Sequence, residues 1–154
     1  MMFGFSALYH RVNWKPKVLG LMRRLDHSSI FMMIAGTFTP ICLLVLPMAT
    51  GKNLLIIIWV IAGLGILQSI IFTNMPRLLR ASFYLGAGYL AIPYMSVMSS
   101  FMGYTNFALT VAGGTIYSVG AISYGFKFPD ISPKYFGFHE FFHLLVCIAA
   151  ILHF

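Results

Sequence analysis

Long apolar runs alternate with short polar loops along almost the whole chain. Five runs are long enough to cross roughly 30 Å of hydrocarbon as a helix, because each helical residue rises about 1.5 Å. They lie at about 26–47, 54–73, 82–100, 107–125 and 136–154. A sixth run, residues 1–10, is too short to span and resembles the second half of a helix. The pattern predicts an all-α, polytopic transmembrane helix bundle, in which five full spans and a partial N-terminal helix form a single integral-membrane domain, residues 1–154.

The basic residues are concentrated in alternate loops, which therefore lie on one side of the membrane. Loops 11–25, 74–81 and 126–135 hold nine of them: Arg11, Lys15, Lys17, Arg23, Arg24, Arg77, Arg80, Lys127 and Lys134. The opposite loops, 48–53 and 101–106, hold only Lys52. Since basic loops stay in the cytoplasm, this asymmetry predicts three cytoplasmic loops and a C-terminus, Phe154, on the outer side.

Composition excludes two broad classes of protein. Of the 154 residues, 60% are hydrophobic and 8% are charged, whereas soluble domains carry roughly 25% charged residues. The net charge of +7 does not indicate nucleic-acid binding, because the cations lie in short loops between apolar runs. Cys42 and Cys147 are isolated within apolar runs and form no CxxC pattern. We expect small buried hydrophobes there rather than a disulfide framework or a thiolate metal site.

Ionisable residues inside the apolar runs indicate a functional site, since a charge in a bilayer costs roughly 2.5–3.5 kcal/mol. His139 and His143 are four residues apart, so their imidazoles share one helical face. The predicted topology places this pair, His10 and Asp26 at the cytoplasmic ends of three helices. Three imidazoles suit zinc better than magnesium or calcium and leave a fourth position open for water. Asp26 would accept a hydrogen bond from that water, and Ser6, four residues before His10, would act as a supporting hydroxyl.

Simpler interpretations of these residues stay open. An intramembrane histidine often makes only a helix–helix hydrogen bond. His27 lies on a different face from Asp26 and is expected to be an interfacial or packing residue, while His153 lies at the wrong end of its helix for this site. Residues 139–143 match the H-E-x-x-H motif in which a glutamate, here Glu140, is the general base. A soluble cleft and a downstream third ligand are missing, and Glu140 is expected to pair with Lys134 or Lys127.

Five segments together resemble the hemolysin III family, which belongs with the progestin and adipoQ receptors. They are Ser-Ala-Leu-Tyr-His (6–10), Arg-Leu-Asp-His-Ser-Ser-Ile-Phe (24–31), Ala-Gly-Thr-Phe-Thr-Pro (35–40), Gly-Gly-Thr-Ile-Tyr-Ser-Val-Gly-Ala (113–121) and Gly-Phe-His-Glu-Phe-Phe-His (137–143). The resemblance implies a seven-helix fold with a cytoplasmic N-terminus, of which this chain would hold helices two (partial) to seven. It also implies an N-terminally truncated chain that is less stable than a full-length protein.

The resemblance also implies roles for the candidate residues. His10, His139 and His143 match the family's three zinc-binding histidines. Asp26 matches the aspartate that contacts the zinc-bound water, and Ser6 matches the serine of the S-x3-H motif. The wider group is similar to alkaline ceramidases, which are intramembrane zinc hydrolases of lipid amides.

Two functions follow as hypotheses, and two others are disfavoured. The first is a Zn²⁺-dependent hydrolase of lipid amides in a bacterial plasma (inner) membrane, with membrane lipids as partners and a lipid or fatty-acid ligand. The second is a non-enzymatic, receptor-like or membrane-homeostasis protein in which zinc only staples helices together. Cytolysis, which the family name suggests, is disfavoured because six hydrophobic segments would not stay soluble before insertion. A channel is disfavoured because the intramembrane charges occupy one leaflet and line no continuous path.

Overall fold

A computed structural model describes residues 2–132 and 136–153, so Lys134 and Phe154 lie outside the described residues. Within these ranges the chain is almost entirely helical and forms no strand, which confirms the predicted all-α class. The seven α-helices are α1 (Met2–Arg11), α2 (Pro16–Pro40), α3 (Met48–Ile71), α4 (Arg77–Tyr89), α5 (Met95–Phe101), α6 (Tyr104–Phe126) and α7 (Phe138–His153). They fall into two compact units, Met1–Met75 and Pro76–Phe154. That the two units together form a single integral-membrane domain stays a prediction.

In the first unit, prolines set the limits of α2. Pro16 occupies the first turn, where its fixed φ suits a helix and its missing N–H would be unpaired in any case. The helix therefore begins well before residue 26, where the predicted span starts. Pro40 ends the regular part, and the chain continues as a π-helical turn, Ile41–Val45. Such widened turns accommodate a break in the hydrogen-bond ladder.

The sides of α3 differ in the size of their residues. Its buried positions follow helical spacing and are mostly small: Gly51, Leu54, Ile58, Ala62, Gly65 and Ser69. Large apolar residues are exposed on the other side: Ile56, Val60, Leu64, Leu67 and Ile71. Small residues let neighbouring helices approach closely in a membrane, where lipid covers the large ones. This distribution is typical of a membrane helix rather than of a soluble one.

In the second unit, the predicted span 82–100 is not one continuous helix. α4 ends at Tyr89, a short 3-10 turn covers Ile92–Tyr94, and α5 follows directly. Pro93 lies in that turn; it has no N–H to continue a ladder, which accounts for the break. Gly103, at a φ of 72°, then allows the turn into α6.

Among the described residues, three helices are long and apolar enough to cross a membrane: Pro16–Val45, Met48–Ile71 and Tyr104–Phe126. They correspond to the predicted runs 26–47, 54–73 and 107–125. α7 is apolar but has only 16 residues. The total of five full spans stays a prediction. Both cysteines are free; the expected burial is confirmed for Cys42 and wrong for Cys147, which is exposed.

Candidate metal centre

The start of α7 is held by a glutamate carboxylate. Oε2 of Glu140 accepts a hydrogen bond from the backbone N–H of Gly137 at 3.0 Å. This contact satisfies a donor that the first turn of a helix leaves without an intrahelical partner. A Cβ on Gly137 would come within 2.9 Å of Oδ1 of Asp130 and within 3.3 Å of Oε2 of Glu140. A side chain at residue 137 would therefore have to displace these carboxylates where the loop enters α7.

His139 and His143 lie one turn apart on α7, and the prediction that they share a face is confirmed. Their Nε2 atoms are 3.1 Å apart, and their ring planes are nearly perpendicular, at 86°. Two nitrogens bound to one tetrahedral zinc at ~2.05 Å would lie about 3.3 Å apart. The pair therefore has the spacing of two ligands of one ion, and without an ion one ring donates to the other.

Aromatic rings surround this pair and were not part of the predicted site. The ring of Tyr124, on α6, lies 5.9 Å from that of His139 and 5.2 Å from that of Phe142. Phe142 also lies 5.3 Å from the ring of His143. These rings limit the imidazole orientations and leave both histidines half-buried. Phe142 could have been predicted from its position between the histidines, but nothing in the sequence linked Tyr124 to them.

The remaining predicted site residues belong to the first unit. Ser6 and His10 lie one turn apart on α1; Ser6 is buried, whereas His10 is exposed in the last turn. The ring of His10 contacts that of Tyr9 edge to face, with centroids 4.5 Å apart. That His10 joins the pair on α7 stays a prediction.

Asp26 lies in a buried polar stretch of α2. Asp26, His27 and Ser29 are all buried, and the Ser29 hydroxyl donates to the backbone carbonyl of Asp26 at 2.7 Å. Burial of His27 agrees with the packing role expected for it. An aspartate kept at 7% exposure in an apolar helix is rare, and an ionisable residue inside a membrane helix indicates a functional site by default.

His153 lies ten residues after His143, about 15 Å further along the helix axis. Its imidazole packs on Gly113 and faces the ring of Tyr117 at 5.6 Å. This placement agrees with its exclusion from the metal ligands. The described contact of Glu140 is the one with the Gly137 N–H; its pairing with Lys127, or with Lys134 outside the described residues, stays a prediction.

Comparison with known proteins gives a consistent picture. The whole chain, residues 1–154, matches the sequence profile of the family described as haemolysin-III related. It is 40% identical to Hemolysin-3 of Bacillus cereus over 124 residues, which cover 79% of this chain and 55% of that protein. It is 37% identical to the Hemolysin-3 homolog of Bacillus subtilis (strain 168) over 122 residues, covering 79% and 57%. The chain thus spans about half the length of the curated relatives that it matches. No solved structure matches it.

Proposed function

This chain belongs to the haemolysin-III related family of membrane proteins, and we propose that it is a zinc-dependent hydrolase of lipid amides. In this proposal His10, His139 and His143 bind the metal, while Asp26 and Ser6 act on the reacting groups. The protein lies in a bacterial plasma membrane, with the metal site toward the cytoplasm and the C-terminus outside.

The observation that carries the proposal is the opposed pair of imidazoles on α7. Two Nε2 atoms 3.1 Å apart match the separation of neighbouring ligands around zinc, as derived above. Nitrogen ligands and a small, tetrahedral ion fit together, and neither magnesium nor calcium shares that preference. A third imidazole completes a ligand set that leaves one position for water. When bound, zinc supplies a Lewis acid and an activated water.

Asp26 is the residue suited to proton transfer. Its carboxylate accepts a proton from the attacking water and returns it to the nitrogen of the amide, so that the C–N bond breaks and a fatty acid and an amine leave. Its burial keeps bulk water from competing for that proton. Ser6 is also buried, and its hydroxyl donates a hydrogen bond to the substrate carbonyl or orients a histidine. General acid–base catalysis of this kind contributes typically 10²–10⁴-fold in rate.

The membrane environment defines the class of substrate. Large apolar residues cover the outside of the long helices, so a substrate reaching residues within them arrives through lipid. The proposed substrate is therefore an amphiphile that enters from the bilayer and holds its amide near the headgroups. The nine-to-one distribution of basic residues between alternate loops supports a cytoplasmic site.

Cell lysis is a second candidate, because both Bacillus relatives carry the name Hemolysin-3. Purified protein added to erythrocytes tests it directly. Release of haemoglobin by the wild type and equally by a His143→Ala variant would indicate lysis that does not involve the metal.

The hydrolase proposal is tested by Asp26→Asn, with Asp130→Asn as a matched control on an exposed loop aspartate. Zinc content and hydrolysis of a fluorescent fatty-acyl amide are measured on each protein in mixed micelles. We expect Asp26→Asn to keep about one zinc per chain and to lose at least about 10²-fold in kcat. Asp130→Asn should retain both.

Three other results of these measurements would each contradict a different part of the hydrolase proposal. A wild type that holds zinc but turns over no acyl amide would show that zinc only staples helices. A folded wild type without zinc would show that the histidines are a packing cluster. Equal turnover in wild type and Asp26→Asn would remove Asp26 from the mechanism.

A further inference from the structure

We propose that the segment Arg11–Arg24 is a binding surface for the headgroups of anionic phospholipids. The segment comprises the connection between α1 and α2 and the first turns of α2. The proposal concerns the first unit alone and does not depend on a metal.

The first turns of α2 present two cations and a leucine on one face. Lys17, Leu21 and Arg24 occupy positions i, i+4 and i+7, which lie above one another on a helix, and all three are exposed. Leu21 is 52% exposed. A stripe in which an apolar side chain lies between two cations suits the boundary between headgroups and acyl chains.

The charge of this segment is of one sign. Residues 11–25 contain five basic residues and no acidic one. Arg11, Lys15, Lys17 and Arg24 are exposed, and the next acidic residue, Asp26, is buried. The neutralising charge must therefore come from outside this segment. An anionic membrane surface supplies it next to a helix that enters the bilayer.

Two arginines of the second unit, Arg77 and Arg80, are placed differently, whereas Lys127 is exposed in its loop. Arg80 is 3% exposed, and the guanidinium carbon of Arg77 lies 5.3 Å from the ring centroid of Phe138. Both side chains are therefore engaged with the protein. Positive charge in the loops predicts only which side of the membrane they occupy, whereas the concentration of four exposed cations, Arg11, Lys15, Lys17 and Arg24, in one stretch assigns lipid binding to Arg11–Arg24.

Trp14 attaches the segment to α1, and its fluorescence can report on the lipids beside the segment. Its indole Nε1 donates to the backbone carbonyl of Leu8 at 2.8 Å, which ties the connection to α1. Tryptophan is enriched at membrane interfaces. The only other tryptophan in the chain is Trp59, so Trp59→Phe leaves a single fluorophore beside the proposed surface.

The experiment measures quenching of Trp14 by brominated lipids in a Trp59→Phe background. The protein is reconstituted into phosphatidylcholine bilayers that contain increasing fractions of dibrominated phosphatidylglycerol or of dibrominated phosphatidylcholine. One exposed cation near an anionic surface is worth roughly fivefold in affinity. We therefore expect half-maximal quenching at a several-fold lower fraction of phosphatidylglycerol, and expect salt to reduce this preference.

Two pairs of substitutions distinguish the effect of this surface on lipid preference from the effect of net charge. Lys17→Gln with Arg24→Gln should abolish the preference, whereas Lys52→Gln with Lys127→Gln, which removes the same charge at exposed positions elsewhere, should preserve it. Lys17→Arg with Arg24→Lys should also preserve it. Helical circular dichroism and the Trp14 emission in pure phosphatidylcholine check that each variant is folded. Equal quenching by the two lipids at low salt would overturn the proposal. So would an equal loss of the phosphatidylglycerol preference in the control variant Lys52→Gln with Lys127→Gln.

Discussion

The ring of Phe31 lies directly on Gly65, at a place where any side chain on α3 would overlap it. Phe31 is among the most deeply buried side chains of the described residues, at 1% exposure. This contact joins α2 to α3 near the middle of the first unit. It packs an aromatic ring against the smallest residue, and small residues are what let membrane helices approach closely without a hydrophobic driving force between them.

Substitution of Gly65 by alanine should therefore destabilise the first unit. The added methyl group meets a buried ring that cannot move away, and overpacking of this kind costs about 1–3 kcal/mol. Thermal unfolding in detergent, followed by circular dichroism, measures the effect. Gly63→Ala is the matched control, because nothing lies within 4 Å of a Cβ there. If both variants melt at the same temperature, the Phe31 contact does not determine the packing of α3.

A similar contact in the second unit should respond more weakly. The imidazole of His153 packs on Gly113, and the backbone oxygen of Ala149 would lie 3.3 Å from a Cβ at that position. Because the imidazole can rotate away, Gly113→Ala should cost about 1 kcal/mol, while Gly114→Ala, with open space around it, should be neutral. The double variant Gly113→Ala with His153→Ala should recover part of the loss in the same unfolding assay. Failure to recover any would mean that the backbone of α7 causes the clash.

The lengths of the apolar runs were enough to predict the helical class and the three long helices, which correspond to three of the five predicted spans. These features depend on hydrophobicity summed over about twenty residues, so single exceptions do not change the result. The shared face of His139 and His143 was equally predictable, because it depends only on helix geometry.

The remaining features depend on local detail that hydrophobicity does not contain. α2 begins at Pro16 rather than near residue 26 because basic residues are good helix formers, even though they mark the end of an apolar run. The run 82–100 is apolar throughout, but Pro93 interrupts its backbone hydrogen bonds. The contact of Tyr124 with His139 depends on how α6 packs on α7, which no short-range pattern reports.

The proposed ligand set predicts that zinc content depends on some histidines and not on others. His143→Ala removes one nitrogen of the closely spaced pair and should reduce bound zinc from about one per chain to near zero. His153→Ala is the control, since that imidazole packs on Gly113 at the far end of α7. Elemental analysis of detergent-purified protein measures both. Equal zinc in the two variants would exclude His143 as a ligand.

Glu140 separates two interpretations of the sequence His-Glu-Phe-Phe-His. If it were the general base of a zincin, Glu140→Gln would reduce kcat by about 10²–10⁴-fold. The structure instead shows its carboxylate accepting a hydrogen bond from Gly137, and a glutamine oxygen can accept the same bond. We therefore expect Glu140→Gln to retain turnover and zinc. Glu140→Ala should lower the free energy of unfolding by about 0.5–2 kcal/mol, the usual effect of losing a helix cap. Amide hydrolysis and thermal unfolding of the two variants distinguish these roles, because only a capping residue tolerates glutamine and not alanine.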